Sequence, residues 1–310
     1  MSLPSVTVAV PTEEIRARLG ELPGAEVVVW DIGDAPLDRH IDLLLARYFL
    51  PAEALAGLSA TAVSAVQSQS LGYDQVTDYL PAGITFCNAV GVHEASTAEL
   101  ALALTLASRR GFAEARDAQV RSSWEHTRQP GLQGSSVVLI GVGGVGAATA
   151  RRLVPFDVTL TLVARTARET ELGSVHGLDE LPRILPTADI VILAVPLTPE
   201  TTGLVSADLL AHLGHGALVV NVSRGGVIDT DALVDAVRTR GVMAALDVTD
   251  PEPLPPDHPL WTLPGVIITP HVGGDTGAMD RHVDRLVGEQ VERLVRGETL
   301  QHVVIDGRSG

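Results

Sequence analysis

The chain contains no lysine. All 22 of its basic side chains are arginine. That absence excludes the Schiff-base aldolases and pyridoxal-phosphate enzymes, whose chemistry runs through a lysine amine. It excludes P-loop NTPases, which need the lysine of their phosphate cradle. It also excludes the short-chain, 3-hydroxyacid and amino-acid dehydrogenases, which use a catalytic lysine. Cysteine is reduced to Cys87 alone, so there is neither an internal disulfide nor a thiolate metal site, and no metal is expected. Positive charge is scarce as well: 22 basic against 38 acidic residues leave a net charge of −16. A nucleic-acid binder needs a basic face, so none is expected as partner. No run of about 18 apolar residues marks a membrane span. The segment Met1–Glu14 has neither a basic start nor a long apolar stretch, so no export leader is expected and the cytoplasm is the expected location.

What is present reads as α/β. The 310 residues are enough for about two domains with a sizeable core. Short β-rich runs alternate with helical segments. Val6–Val10, Val27–Trp30, Leu43–Leu45, Ala62–Gln67 and Ile84–Cys87 are expected strands of a small flavodoxin-like sheet. Helices are expected to open at Pro11–Glu14 and Pro51–Glu53. A long helix is expected over Glu94–Arg110, capped near Ser96 and Thr97 with Glu99 in its first turn, then a loop around Trp124–Gly134. A second block follows, with strands at Val137–Ile140, Val158–Val163, Ile190–Val195, Leu218–Val222, Ala244–Val248 and Val266–Thr269. A last helix at about Asp275–Arg296 precedes the apolar tail Val303–Ile305.

The strand Val137–Ile140 runs into Gly141-Val142-Gly143-Gly144-Val145-Gly146 and then the helical Ala147–Leu153. A bare GxGxxG pattern is weak, but here strand and helix flank it as dinucleotide binding requires. Gly141 allows the tight turn, Gly143 lets a pyrophosphate approach the backbone, and Gly146 lets helix and strand pack closely. An NAD site places an acid about 20 residues on, to accept from the ribose 2′-hydroxyl. Here the second strand ends in Ala164-Arg165-Thr166-Ala167-Arg168. Two guanidiniums and a hydroxyl suit a 2′-phosphate, which favours NADP, with NAD possible.

Three further segments each follow a strand of the second block: Asn221–Gly226, Leu246–Pro255 and Thr269–Gly274. Ligands of open α/β sheets sit beyond the carboxyl ends of strands, so an Arg, a Glu and a His can converge. Arg224 would hold a carboxylate and polarise a ketone, His271 would give the proton, and Glu252 would hold the His ring. Cys87, Trp124 and Trp261 read as packing residues, with Trp261 able to wall the site. His93 stands just before the long helix.

With these segments in this order, and with the Leu71-Gly72-Tyr73-Asp74 turn and the Asn88–Glu99 stretch, the chain resembles the D-isomer-specific 2-hydroxyacid dehydrogenases, in particular glyoxylate and hydroxypyruvate reductases. The resemblance covers nearly the whole chain. It implies two Rossmann-like or flavodoxin-like domains with doubly wound parallel sheets. Residues 1–92 and 282–310 would form the substrate domain, and 93–281 an inserted NAD(P)-binding domain, with a crevice closing between them. It implies Arg224, Glu252 and His271 as catalytic residues. Cofactor contacts would come from Gly141, Gly143, Gly144, Val145 and Gly146, from Arg165, Thr166 and Arg168, from Val195, Pro196, Val222 and Ser223, and from Asp247 and Gly273, with Asp247 near the nicotinamide carboxamide. Ser70, Leu71 and Gly72 would bind substrate beside Arg224 and His271. A homodimer through the cofactor domain is usual in the family. Leu71 departs from the small residue common before that glycine, which touches the shape of the substrate pocket. A phosphite dehydrogenase would need a lysine in this loop, and a formate dehydrogenase would pair its His with Gln. A dinucleotide-sensing corepressor on the same scaffold and an S-adenosylmethionine methyltransferase are the alternatives. The second leaves Arg224, Glu252 and His271 unexplained.

Overall fold

A computed structural model describes residues 6–59 and 62–307; Met1–Ser5, where an export leader would begin, lie outside the described residues. The chain divides into two compact units, residues 1–93 with 277–310, and residues 94–276. The second junction falls at Gly277 rather than at 282, because the helix that follows belongs whole to the first unit.

In the first unit, β1 (Val6–Val10), β2 (Ala25–Val29), β3 (Leu43–Leu45), β4 (Ala65–Gln67) and β5 (Thr85–Cys87) are parallel in the order β5-β4-β3-β1-β2. This is the flavodoxin-like order expected from the sequence. The apolar tail Val303–Ile305 adds to β5 as an antiparallel edge strand. β3, β4 and β5 are buried throughout; Leu43–Leu45 is accordingly apolar without alternation, while Gln67 and Thr85 are buried polar residues. The helix Glu13–Leu19 starts where Thr12 Oγ1 accepts the Ile15 N–H at 3.2 Å, with Glu13 and Glu14 in its first turn. The closing helix Met279–Val295 buries Met279, Val283, Leu286, Val287, Gln290 and Val291, a stripe at helical spacing that covers one face of the unit's core.

The second unit holds β6 (Ser136–Ile140), β7 (Thr159–Ala164), β8 (Arg168–Thr170), β9 (Gly173–Gly177), β10 (Ile190–Leu193), β11 (Leu218–Asn221), β12 (Met243–Leu246) and β13 (Val266–Ile268). Their order is β13-β12-β11-β10-β6-β7-β9-β8. All pairs are parallel except β8 with β9. Strands proceed outward in opposite directions from β6 and β10, so the switch point of this doubly wound sheet lies between those two. In β6, Val138 and Ile140 enter one core cluster while Val137 and Leu139 enter the other. Both faces are therefore covered.

Some local expectations shift. The long helix spans Glu94–Arg109, so Ser96 and Thr97 lie inside it rather than capping it. Pro51 opens a 3-10 turn, Ala52–Gly57. The last helix starts at Met279, after a loop through Asp275. A helix at Phe112–Val120 and the strands β8 and β9 are additions to the elements expected from the sequence.

Candidate functional site

The turn after β6 is shaped by what a side chain would strike. Gly141 has φ +107°, and a Cβ there would stand 2.2 Å from the Ala194 carbonyl oxygen, just past β10. A Cβ on Gly146 would stand 1.9 Å from the Gly141 carbonyl oxygen. Both positions tolerate only glycine. A Cβ on Gly143 would meet nothing within 4 Å, so no protein neighbour requires that glycine, and the backbone is open to a ligand. The helix Gly144–Leu153 begins there without a side-chain cap, leaving first-turn N–H groups for an anion. These features fit a dinucleotide pyrophosphate. Val195 packs toward Gly141, and the next turn is tied by the Thr201 hydroxyl, which donates to the Pro196 carbonyl at 2.6 Å.

Beyond β7, both arginines are exposed. Arg165 Nη2 lies 3.6 Å from Glu200 Oε2. Arg168 Nη1 donates to the Thr166 carbonyl at 3.2 Å and opens β8. The Thr198 hydroxyl donates to Glu200 at 2.8 Å and, with the Glu200 backbone amide and the Arg165 charge, holds that carboxyl below its ordinary range.

Beyond β11, the buried Asn221 organises the next turn. Its Oδ1 accepts from the Ser223 N–H (3.0 Å) and hydroxyl (2.7 Å), and its Nδ2 donates to the Arg224 carbonyl at 2.9 Å. Sequence reasoning passed over Asn221, although a polar amide closing the run Leu218-Val219-Val220 was a signal that it caps the turn. Val222 is buried against the core beside it. A Cβ on Gly225 would lie 1.9 Å from the Thr249 carbonyl oxygen, so the Arg224 turn presses directly on the turn beyond β12.

That turn carries Glu252. Its Oε1 lies 2.6 Å from His271 Nδ1, and Oε2 receives the Thr249 N–H at 3.4 Å. Burial works to raise the Glu252 carboxyl. The His271 hydrogen bond and charge, the Thr249 amide and the Arg224 charge outweigh it and hold the group below its ordinary range. His271 sits at φ +54°, a left-handed conformation rare for a side-chain-bearing residue. Asp247, 3% exposed, fixes that turn. Oδ1 accepts from the Thr269 hydroxyl (2.6 Å) and the Val272 N–H (2.9 Å), Oδ2 from the Gly273 N–H (2.8 Å), and its own carbonyl from the His271 N–H (2.8 Å). A Cβ on Gly273 would stand 2.8 Å from Asp247 Oδ2. The structure thus brings Arg224, Glu252 and His271 into one cluster, with Asp247 and Gly273 as its scaffold.

Ser70, Leu71 and Gly72 lie in the first unit, in the loop after β4. The Ser70 carbonyl accepts from the Ala89 N–H at 3.0 Å, and the Leu71 carbonyl from Asn88 Nδ2 at 2.9 Å. His93 is buried, with Nε2 against the Gln69 carbonyl and its ring stacked on Tyr48 at 5.6 Å. Cys87 is fully buried, and burial pushes its thiol up to about 12 against a hydrogen bond from Gln290, so it is no nucleophile. Trp124 does not pack as expected: it is 99% exposed. Trp261 donates from Nε1 to the Pro255 carbonyl at 2.8 Å. Among the described residues, no helix is long and apolar enough to cross a membrane, and no group of His, Cys, Asp or Glu is arranged to hold a metal ion.

Comparison with known proteins points the same way. The model of the NAD-binding domain of D-isomer specific 2-hydroxyacid dehydrogenases matches residues 102–273. Glyoxylate reductase/hydroxypyruvate reductase of Mus musculus is 31% identical over 315 residues, covering 95% of this chain and 95% of that protein. D-3-phosphoglycerate dehydrogenase of Methanocaldococcus jannaschii is 34% identical over 229 residues, 72% of this chain but only 43% of that longer protein. Among solved structures, a D-isomer specific 2-hydroxyacid dehydrogenase from Xanthobacter autotrophicus Py2, in complex with NADPH and MES, superposes with a TM-score of 0.82 at 28% identity, covering 99% of this chain and 100% of that one. On the sequence match, the fold and the glycine-built turn together, the chain belongs to the D-isomer specific 2-hydroxyacid dehydrogenase family.

Proposed function

We propose that the protein reduces small 2-oxo acids such as glyoxylate or hydroxypyruvate to the 2-hydroxy acids, preferring NADPH. The observation that carries this reading is the Glu252–His271 pair at 2.6 Å, on loops packed against the Arg224 turn beyond β11, β12 and β13. Glu252 occupies Nδ1, so Nε2 of His271 is the atom that gives a proton to the ketone oxygen. Glu252 keeps the ring in one orientation. Arg224 offers a planar fork to the substrate carboxylate and carbonyl. Ser70, Leu71 and Gly72 are assigned to substrate binding through their backbone amides. Gly141–Gly146, Val195, Pro196, Val222, Ser223, Asp247 and Gly273 line the dinucleotide's course. When bound, the nicotinamide supplies the hydride.

Arg165, Thr166 and Arg168 support the NADP preference, as does the relative that binds NADPH. The mouse relative's name supports the substrate class. The unit of residues 1–93 with 277–310 is the substrate domain in this reading, and 94–276 the cofactor domain. The protein acts in the cytoplasm as a homodimer joined through the cofactor unit, where Phe112, Val120 and Trp124 stand exposed. Sedimentation of the purified chain tests the dimer, and a monomer at micromolar concentration rejects it. Initial rates with NADPH and NADH against a panel of 2-oxo acids test the reaction. No turnover on any of them overturns the reading, and NADH outperforming NADPH overturns the role given to Arg165 and Arg168.

A further inference from the structure

We infer that Asn88 is a positioning residue for substrate binding: its side-chain amide, carried on a backbone that Gln67 holds, keeps the Leu71–Gly72 peptide turned so that its N–H faces the substrate carboxylate. The inference rests on the proposed reading of Ser70–Gly72 as the substrate loop, and adds to it the group that sets the loop's polarity.

A trans peptide is planar, with its C=O and N–H pointing in opposite directions. Asn88 Nδ2 donates to the Leu71 carbonyl at 2.9 Å, which turns the Gly72 N–H away from Asn88. The Ala89 N–H donates to the Ser70 carbonyl at 3.0 Å, which turns the Leu71 N–H the same way. Two successive carbonyls are thus tied to the buried segment Asn88–Ala89, and two successive N–H groups face away from it. Consecutive amides aimed to one side form an anion-binding concavity. Leu71 and Gly72 are only partly buried, whereas Asn88 and Ala89 are buried.

The base of this arrangement is a relay of buried amides. Gln67 and Gln290 are both 0% exposed. Gln67 Nε2 donates to the Ser68 carbonyl at 2.8 Å and the Asn88 carbonyl at 3.0 Å, and its Oε1 accepts from Gln290 Nε2 at 2.8 Å. Gln290 also donates to the Gln301 carbonyl and accepts the Gln301 N–H, both at 2.9 Å. The Asn88 N–H donates to the His302 carbonyl at 3.1 Å. Gln67 ties the closing helix to Asn88, and Asn88 ties the His302 backbone, just before the closing strand, to the substrate loop. Asn88 Oδ1 is buried and finds no hydrogen-bond partner among the described residues. An amide kept only for packing would be poorly chosen there, since an unsatisfied buried oxygen is unfavourable. The donor end is what this position uses.

The test uses Asn88→Ala and Asn88→Asp. The second keeps the volume and removes the donors. For each, KM and kcat with glyoxylate, the inhibition constant of oxamate, the Kd of NADPH and the melting temperature are measured. The expected result is a KM and an oxamate constant each raised about ten-fold, the worth of one buried hydrogen bond to an anion-binding peptide. The expected kcat is within about two-fold and the NADPH Kd unchanged. If either variant is folded and its KM and oxamate constant stay at wild-type values, the inference is overturned. It is equally overturned if the NADPH Kd weakens in step with KM, which marks a general loosening. Gly72→Pro, which deletes the Gly72 N–H itself, separates the two levels. A wild-type KM in Gly72→Pro rejects the substrate-loop reading. A raised KM there with unaffected Asn88 variants rejects only the role of Asn88.

Discussion

Two kinds of candidate site can be compared in this chain. The turn Gly141–Gly146 and the loop Ser70–Gly72 offer bare peptide, while the turns carrying Arg224, Glu252 and His271 offer charged side chains. In the first kind the sequence specifies the site by leaving atoms out. A Cβ at Gly146 would sit 1.9 Å from a carbonyl oxygen, so adding a carbon is the change expected to disturb it. In the second kind it specifies the site by putting atoms in, and trimming them is the change expected to abolish function. Peptide sites need geometry held from behind, as the Asn88 side chain and the Ala89 N–H hold the Leu71 and Ser70 carbonyls. Side-chain sites also need protonation states held, as His271 and Arg224 hold that of Glu252.

The sharpest trial of the contrast is His271→Gln. Loss of the general acid is expected to lower kcat about 10³-fold, with NADPH still bound in a fluorescence titration. Wild-type turnover in that variant would remove His271 from the mechanism. The matching experiment on a peptide site is Gly146→Ala. One added carbon is expected to weaken NADPH binding about 10²-fold and lower the melting temperature by several degrees, since overpacking costs about 1–3 kcal/mol. An unperturbed Kd would show that the turn yields more easily than its contacts allow. Next comes the double variant Arg165→Ala, Arg168→Ala. Its NADPH-over-NADH preference in kcat/KM is expected to fall about ten-fold or more, from lost charge-assisted hydrogen bonds, and an unchanged ratio would leave the 2′-phosphate to other groups.

Smaller still is the effect of pH through Glu252. Its carboxyl is held below its ordinary value of 4.5 in the folded chain. The unfolded state therefore binds the proton first as pH falls. The stabilisation is present above pH 4.5 and is lost as pH drops through the lowered value. Glu252→Gln is expected to melt below wild type at neutral pH, with the gap narrowing under pH 4.5. A gap that widens toward acid would reverse the sign assigned to the pair. Smallest of all is Ser70→Ala. If the loop acts through its peptide groups, removing this hydroxyl should leave KM for glyoxylate within about two-fold, and a larger rise would make the loop a side-chain site after all.

The parallel strands were legible because they are buried on both faces and therefore uniformly apolar, as in Leu43–Leu45 and Ile190–Leu193. The strands β8 and β9 were not. Arg168–Thr170 and Gly173–Gly177 are polar or glycine-rich, and it is pairing with β7 that makes β9 a strand. The Phe112–Val120 helix buries only Ala118, so it leaves no apolar periodicity to read. At the site, residue type and order singled out Arg224, Glu252 and His271, but nothing in the order foretold a 2.6 Å contact between Glu252 and His271. That distance depends on Asp247 gathering donors from Thr269 to Gly273. Asn88 was read only as part of a family stretch, since its work is done on a neighbour's carbonyl and leaves no mark in residue type.

The hydroxyls of Ser96 and Thr276 lie 3.0 Å apart, one at each end of the unit of residues 94–276. A segment whose two ends meet can be cut out and spliced into another chain without stretching either junction. The cofactor-binding half of this enzyme is in that sense a cassette. A chimera carrying residues 94–276 of a relative with the opposite nucleotide preference would be expected to exchange cofactor use as one block and leave the Ser70–Gly72 loop untouched.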